Sequence, residues 1–121
     1  MMKALIVDDS DAMRRILMQS LIQAGINEFG QASDGLEAMA EVEKNQYDVI
    51  LMDWNMPKMS GLEALKKIRD AGKTMPVIMV TTEAEKGRII EALKAGANNY
   101  IVKPFKTDTI IIRVQETLGK K

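Results

Sequence analysis

The sequence predicts an α/β fold, a doubly wound five-stranded parallel sheet built from five strand-helix units. Three observations carry the prediction. Short uninterrupted apolar runs, such as Ala4-Leu5-Ile6-Val7 and Val49-Ile50-Leu51-Met52, suit strands that are buried on both faces. Each run gives way to an amphipathic stretch of helical period, five times over. The 121 residues suffice for one core, and five strands are too few to close an eight-stranded barrel. An open sheet with helices on both faces remains.

The first strand covers residues 4–7. Ser10 or Asp11 caps the first helix, whose Met13, Ile16, Leu17 and Leu21 recur at helical spacing and which stops at Gly25. A weaker segment, residues 29–32, is the second strand. Asp34 and Gly35 open a helix carrying Leu36, Met39 and Val42 on one face, with Asn45 near its end. The third strand, residues 49–52, closes on Asp53, and Pro57 and Gly61 mark the loop beyond it. Ser60-Gly61-Leu62-Glu63 fits a capping box for the third helix, which Gly72 ends. Residues 76–80 form the fourth strand, with Pro76 at the first position, where no ladder donor is missed. The fourth helix spans about residues 83–95 and ends at Gly96. Residues 100–102 are the fifth strand; after Lys103-Pro104-Phe105 a last helix runs to Leu118 and Gly119.

Composition removes whole classes of function. Lys plus Arg (17) balance Asp plus Glu (17), so the excess positive charge of a dedicated nucleic-acid binder is missing, and aromatics for base stacking are only 4%. There is no Cys, hence no disulfide, zinc thiolate or thiol nucleophile. There is no His, hence no Ser-His-Asp triad, no imidazole ligand and no phosphohistidine within the chain. Carboxylates, hydroxyls, Lys and metal-oxygen chemistry are left. No apolar run approaches the roughly 20 residues of a membrane span. The N-terminal run is too short for a signal-peptide core and leads directly into Asp8-Asp9. The expectation is a soluble cytoplasmic chain that touches no membrane. With no linker, low-complexity tract or charge block, residues 1–121 read as one domain without an effector domain.

In an open parallel sheet, ligands bind outside the carboxyl ends of the strands. Asp8 and Asp9 stand there after the first strand, Asp53 after the third, Thr81 and Thr82 after the fourth, and Lys103 after the fifth. Singly each has a plain use: Asp8-Asp9 as a helix cap, Asp53 as a turn residue, Lys103 as a surface charge. Together, three carboxylates on one rim repel unless a cation joins them. Mg²⁺ fits, being hard, oxygen-seeking and used to sharing carboxylates with a phosphate oxygen. Lys103 and Thr81 suit the remaining oxygens of a phosphoryl group. Asp53 is the candidate nucleophile, forming an acyl phosphate by positioning and charge neutralisation.

Val7-Asp8-Asp9-Ser10, Met52-Asp53-Trp54-Asn55-Met56-Pro57, Val80-Thr81-Thr82-Glu83 and Val102-Lys103-Pro104-Phe105 together resemble a response-regulator receiver domain. The likeness spans essentially the whole chain. It leans to the single-domain chemotaxis regulators through Asp53-Trp54-Asn55-Met56-Pro57 and Ala95-Gly96-Ala97-Asn98-Asn99-Tyr100. The resemblance implies strand order 2-1-3-4-5, the flavodoxin-like order. It implies that Asp53 accepts phosphate from a chemotaxis-type histidine kinase. Asp9, Asp53 and the backbone carbonyl of Asn55 would bind Mg²⁺, with Asp8 acting through water. Lys103 would pair with the phosphoryl group, Thr81 would move to hydrogen-bond it, and Tyr100 would swing inward. Asn55 and Glu83 would help set how fast the phosphate is lost. The Lys103-Pro104 bond is expected to be cis. Output would pass through the face of the fourth helix, fifth strand and fifth helix, with Ile89, Tyr100, Val102 and Arg113 as surface candidates. The implied partners of this monomer are the flagellar motor switch and a phosphatase.

Other readings fit less well. A phosphatase of the haloacid-dehalogenase type needs a second Asp two residues after its nucleophile, and Asn55 stands there, unable to transfer a proton at neutral pH. A flavodoxin-like electron carrier needs a hydroxyl- and Gly-rich phosphate loop, but Asp8-Asp9-Ser10-Asp11 repels phosphate. A scaffold that no longer accepts phosphate would not need so complete a site. A stand-alone receiver in another phosphorelay, passing phosphate to a histidine phosphotransfer protein, shares every site residue and stays open. Met18, Met39, Met52 and Met79 read as core filler, Arg14-Arg15 and Lys66-Lys67-Arg69 as solvated helix faces, and Trp54 as a residue of the site rim.

Overall fold

Apolar runs with no polar face need cover on both sides, and the computed structural model, which describes residues 2–119, provides it with two helical layers. Strands β1 (Lys3–Val7), β2 (Glu28–Ala32), β3 (Val49–Met52), β4 (Val77–Thr81) and β5 (Asn99–Val102) alternate with helices α1 (Asp11–Gln23), α2 (Gly35–Lys44), α3 (Gly61–Asp70), α4 (Lys86–Lys94) and α5 (Thr107–Thr117). The strands pair in parallel in the order β2-β1-β3-β4-β5, as the resemblance implied. Alternate side chains divide the core. Leu5, Val7, Ile50, Met52, Val77 and Met79 pack with Ala38, Val42, Leu65, Ile68 and Ala92 of α2, α3 and α4. Ala4, Ile6, Val49, Leu51, Ile78, Val80 and Ile101 pack with Leu17, Leu21, Ile110 and Val114 of α1 and α5.

Register places the site. Val7 lies opposite Met52, and Met52 opposite Met79, so the next residues along β1 and β3, Asp8 and Asp53, emerge side by side. The ladder runs one step past the strands: Asp53 N–H donates to the Val7 carbonyl at 2.9 Å and Lys103 N–H to the Thr81 carbonyl at 2.8 Å.

Local signals explain most boundaries. Ser10, not Asp11, caps α1, its hydroxyl accepting from Met13 N–H at 3.1 Å. Ser60 caps α3 in the same way at 3.2 Å, and Glu63 reaches back to its hydroxyl at 3.3 Å. Several boundaries differ from those the sequence predicts. Lys3 joins β1 and Asn99 joins β5. Pro76 falls just outside β4, where its carbonyl still accepts from Ile50 N–H at 2.9 Å, and Thr81 falls inside. Helix α4 starts at Lys86 rather than near residue 83, because the backbone groups of Glu83 are engaged elsewhere: its N–H with Thr81 Oγ1 and its carbonyl with the Tyr100 hydroxyl. Ile16 and Leu36, expected on buried faces, are 45% and 50% exposed. In α1 the inward stripe is Leu17, Ser20 and Leu21, and in α2 it is Gly35, Ala38 and Val42. Met52 and Met79 are fully buried, while Met18 and Met39 pack on the core from its edge. The Lys103-Pro104 bond is cis.

Candidate functional site

Three carboxylates meet where β1 and β3 end. Oxygens of Asp8, Asp9 and Asp53 lie within 4.8 Å of one another, with Asp8 and Asp53 buried and Asp9 exposed. Lys103, one residue past β5, reaches across the β4 end and places its ammonium 2.8 Å from Asp8 Oδ2 and 3.2 Å from Asp53 Oδ2. The remaining oxygens of the buried pair accept backbone N–H groups: Asp8 Oδ1 from Ser10 at 2.9 Å and Asp53 Oδ1 from Trp54 at 2.7 Å. Burial alone would lower the Lys103 pKa; the Asp8 hydrogen bond and the charges of Asp53 and Asp8 outweigh it and hold the ammonium above its ordinary range. Three carboxylates face one ammonium, so the cluster keeps a formal excess of two negative charges. An all-oxygen, doubly negative group with one member open to solvent is a donor set that fits Mg²⁺.

The other predicted residues surround this cluster. Thr81 is fully buried at the last position of β4, and its Oγ1 accepts from Glu83 N–H at 3.3 Å. Asn55 Nδ2 donates to Glu83 Oε2 at 2.9 Å, so the two residues expected to set phosphate lifetime touch each other. Tyr100 is half-buried and its hydroxyl donates to the Glu83 carbonyl. Burial, with the Glu83 and Asp53 charges, outweighs the opposing charge of Arg88 and pushes its phenol up to about 12, so it remains a donor at neutral pH. Ile89 on α4 is half-buried; Val102 on β5 and Arg113 on α5 are exposed. A groove of about 410 Å³ lies away from the acidic rim, along α4 and against Lys66 of α3.

Three expectations need correction. Trp54 is not a rim residue: it is 6% exposed and packs into the core layer beneath α2, α3 and α4. Arg14 is not on a solvated face: its side chain is 12% exposed, donating to the Asp8 carbonyl, to Asp11 and to Gln31 Oε1 at 2.9 Å. It thereby braces the turn that carries Asp8 and Asp9. Arg69 turns inward onto the Gly96 carbonyl at 2.9 and 3.1 Å, Asn98 Oδ1 at 3.0 Å and the Lys73 carbonyl at 3.0 Å. Asp11 and Arg14 at i,i+3 were a readable signal; the Gln31 and Gly96 partners were not. Arg88 carries no signal in the sequence, yet its guanidinium carbon lies 5.4 Å from the Trp54 ring centroid and its Nε 3.8 Å from Glu83 Oε1.

The loop after β3 is held by close contact. A Cβ on Gly61 would come 1.9 Å from the Asp53 carbonyl, and Gly61 N–H donates to the Trp54 carbonyl at 2.8 Å. Only glycine lets α3 start against the backbone of the site.

Known proteins are similar to this chain in sequence and fold. A profile of the response regulator receiver domain matches residues 4–115. The chain is 48% identical over 121 residues to a chemotaxis protein CheY homolog from Campylobacter jejuni, covering 98% of this chain and 93% of that protein. Among solved structures it is similar to chemotaxis protein CheY4 of Vibrio cholerae, with a TM-score of 0.88, 39% identity, and coverage of 97% and 98% of the two chains. It is also similar to a chain of the CheX-CheY-BeF3-Mg²⁺ complex from Borrelia burgdorferi, with a TM-score of 0.91, 32% identity, and coverage of 95% and 87%.

Proposed function

The chain belongs to the response regulator receiver family, and on that premise we propose that it is a phospho-accepting chemotaxis regulator of the CheY type. It takes a phosphoryl group from a histidine kinase onto Asp53 and then switches its binding to the flagellar motor switch in the cytoplasm. The observation that carries the reading is the Lys103 ammonium bridging Asp8 and Asp53 while Asp9 stands beside them. The Mg²⁺ in the complex of the Borrelia relative supports the choice of ion.

In this reading Asp9, Asp53 and the Asn55 carbonyl would hold Mg²⁺ directly and Asp8 would hold it through water. The ion supplies charge neutralisation for the phosphoryl oxygens. An Asp53 carboxylate oxygen attacks phosphorus of the kinase phosphohistidine; the new P–O bond forms, the P–N bond breaks, and the imidazole leaves with its electron pair. A chain without His carries no phosphohistidine of its own, so a phosphohistidine donor has to be another protein. Lys103, already charged and in contact with Asp53, turns to the transferred oxygens. Thr81 gives up the Glu83 N–H and donates its own hydroxyl to the same group. That loosens Glu83, whose carbonyl holds the Tyr100 hydroxyl, and so links the site to the face of Ile89, Tyr100, Val102 and Arg113.

Loss of the signal reverses the chemistry. Water attacks phosphorus, the P–O bond to Asp53 breaks, and inorganic phosphate leaves. Asn55 and Glu83 orient or admit that water rather than deprotonate it, so substituting them alters the rate modestly compared with loss of Asp9. A CheX-type phosphatase partner is consistent with the Borrelia complex.

The test is a two-stage assay. A labelled chemotaxis-type histidine kinase is mixed with the chain and Mg²⁺, and the product is then offered a motor-switch peptide. Label should move to the chain only with Mg²⁺, and the peptide should bind the phosphorylated form more tightly. Tyr100→Ala, at a matched phosphoryl level and with thermal stability checked, should lose that preference; unchanged affinity makes Tyr100 a packing residue only. Transfer onward to a histidine phosphotransfer protein, with no peptide binding, would point to another phosphorelay.

A further inference from the structure

Glu83 is held from four sides beside the site. Its N–H donates to Thr81 Oγ1 at 3.3 Å and its carbonyl accepts the Tyr100 hydroxyl. One carboxylate oxygen, Oε2, accepts from Asn55 Nδ2 at 2.9 Å; the other, Oε1, faces Arg88 Nε at 3.8 Å. The Arg88 guanidinium lies in turn over the Trp54 ring, 5.4 Å from its centroid. The contacts close a circuit. Trp54 and Asn55 are consecutive residues after β3, whereas Glu83 and Arg88 come from the segment after β4 and the start of α4. The circuit therefore bridges the carboxyl ends of the two strands that carry Asp53 and Thr81.

A long Glu side chain loses rotamer freedom when it is pinned, and one hydrogen bond from an exposed Asn is a weak tether. Arg88 adds the opposite charge. Trp54, buried and therefore fixed, gives the planar guanidinium a platform that holds it in line with Glu83. Glu91, 3.4 Å from Arg88 Nη1 and one turn along α4, shares the guanidinium with Glu83, which faces its Nε.

We propose that Arg88 is a positioning residue for the Asp53 site, a latch that stacks on Trp54 and holds the Glu83 carboxylate on Asn55, restricting the entry of water and small phosphodonors. The proposal rests on Asp53 being the phosphoacceptor. Donor and water pass the same bridge, so releasing it quickens both gain and loss of the phosphoryl group. Because Arg88 lies on α4, any partner that draws α4 or Arg88 away changes the lifetime of the signal.

The test compares Arg88→Ala, Arg88→Lys, Glu83→Ala and the double variant Arg88→Ala/Glu83→Ala, with a small acyl phosphate donor and Mg²⁺. Labelling, and loss of label after the donor is removed, should both be about two- to fivefold faster in Arg88→Ala, the weight that one partly exposed ion pair and one cation–π contact can give a rotamer. Arg88→Lys, which keeps the charge, should fall between that variant and wild type. In the Glu83→Ala background, Arg88→Ala should change nothing further. Wild-type rates in Arg88→Ala, or an undiminished effect in the double variant, would overturn the latch. If wild type takes no label at all, the phosphoacceptor reading falls, and the latch is judged on the Asn55 side-chain amide resonance. That resonance should move in Arg88→Ala toward its position in Glu83→Ala; an unmoved resonance also overturns the latch.

Discussion

Lys103 is the only side-chain cation among the described residues that contacts two carboxylates of the acidic cluster, and its removal should be felt twice. Lys103→Met leaves Asp8 and Asp53 without their ammonium. Without a divalent cation, this should cost about 2–4 kcal/mol in urea unfolding, somewhat below the ~3–5 kcal/mol of a fully buried pair. Mg²⁺ should restore more stability to this variant than to wild type, because the stranded carboxylates are left as its ligands; no gain in either protein would show that the cluster does not hold the ion. Phosphoryl transfer to Asp53 should fall steeply in the same variant. At this scale the acidic cluster was legible in the sequence. Asp8, Asp9, Asp53 and Lys103 each follow a strand, and a parallel sheet gathers strand ends on one rim. The long-range partners of Arg14 and Arg69 and the stacking of Arg88 on Trp54 were not legible. Runs of basic residues on helices suggest solvation, and what turns Arg14 and Arg69 inward are partners 17 and 27 residues away in sequence.

The elements that carry the site are fastened by a few local contacts, and these can be broken singly. Gly61→Ala sets a Cβ against the Asp53 carbonyl, with backbone rather than a flexible side chain in the way. The start of α3 or the loop bearing Trp54 and Asn55 must then move, so urea unfolding should show a loss of at least about 1–3 kcal/mol, the usual cost of overpacking. Mg²⁺ affinity, read from Trp54 emission, should weaken in parallel. Ser60→Ala removes the cap of the same helix without that intrusion. It should cost about 1 kcal/mol and leave Mg²⁺ affinity near wild type. If Ser60→Ala weakened Mg²⁺ as much as Gly61→Ala, the close approach at Gly61 would have no special role. The Ser60 cap was readable in the capping box; the close approach of Gly61 to the Asp53 carbonyl was not, since it depends on how the loop after β3 packs against α3. The start of α4 was not readable either, because Glu83 looks like a helix-opening acid while its N–H is taken by a local turn to Thr81 and its carbonyl by Tyr100, a contact that the β4–β5 pairing creates.

For the whole molecule, alternating apolar and amphipathic segments indicate a parallel sheet but are compatible with several strand orders; the resemblance to receiver domains singles out 2-1-3-4-5, the order found. Global stability should depend on alkaline pH through three groups. Tyr47 is raised by burial and by Glu41, Tyr100 is pushed up to about 12, and Lys103 is held above its ordinary range. In each the folded state keeps its proton to higher pH than the unfolded chain. Their stabilising contributions are therefore complete below the ordinary tyrosine value of 10.0 and decline as pH rises through the folded values. The melting temperature should hold up to about that pH and then fall; an unchanged melting temperature at pH 12 would contradict these environments. The central claim is that Asp53 is the single phosphoacceptor of a Mg²⁺-dependent site, and intact-mass spectrometry tests it most directly. With a small acyl phosphate donor and Mg²⁺, the wild-type mass should rise by one phosphoryl group, chelating the ion should prevent the gain, and Asp53→Asn should show none. Equal labelling of Asp53→Asn, or labelling indifferent to Mg²⁺, would contradict the account.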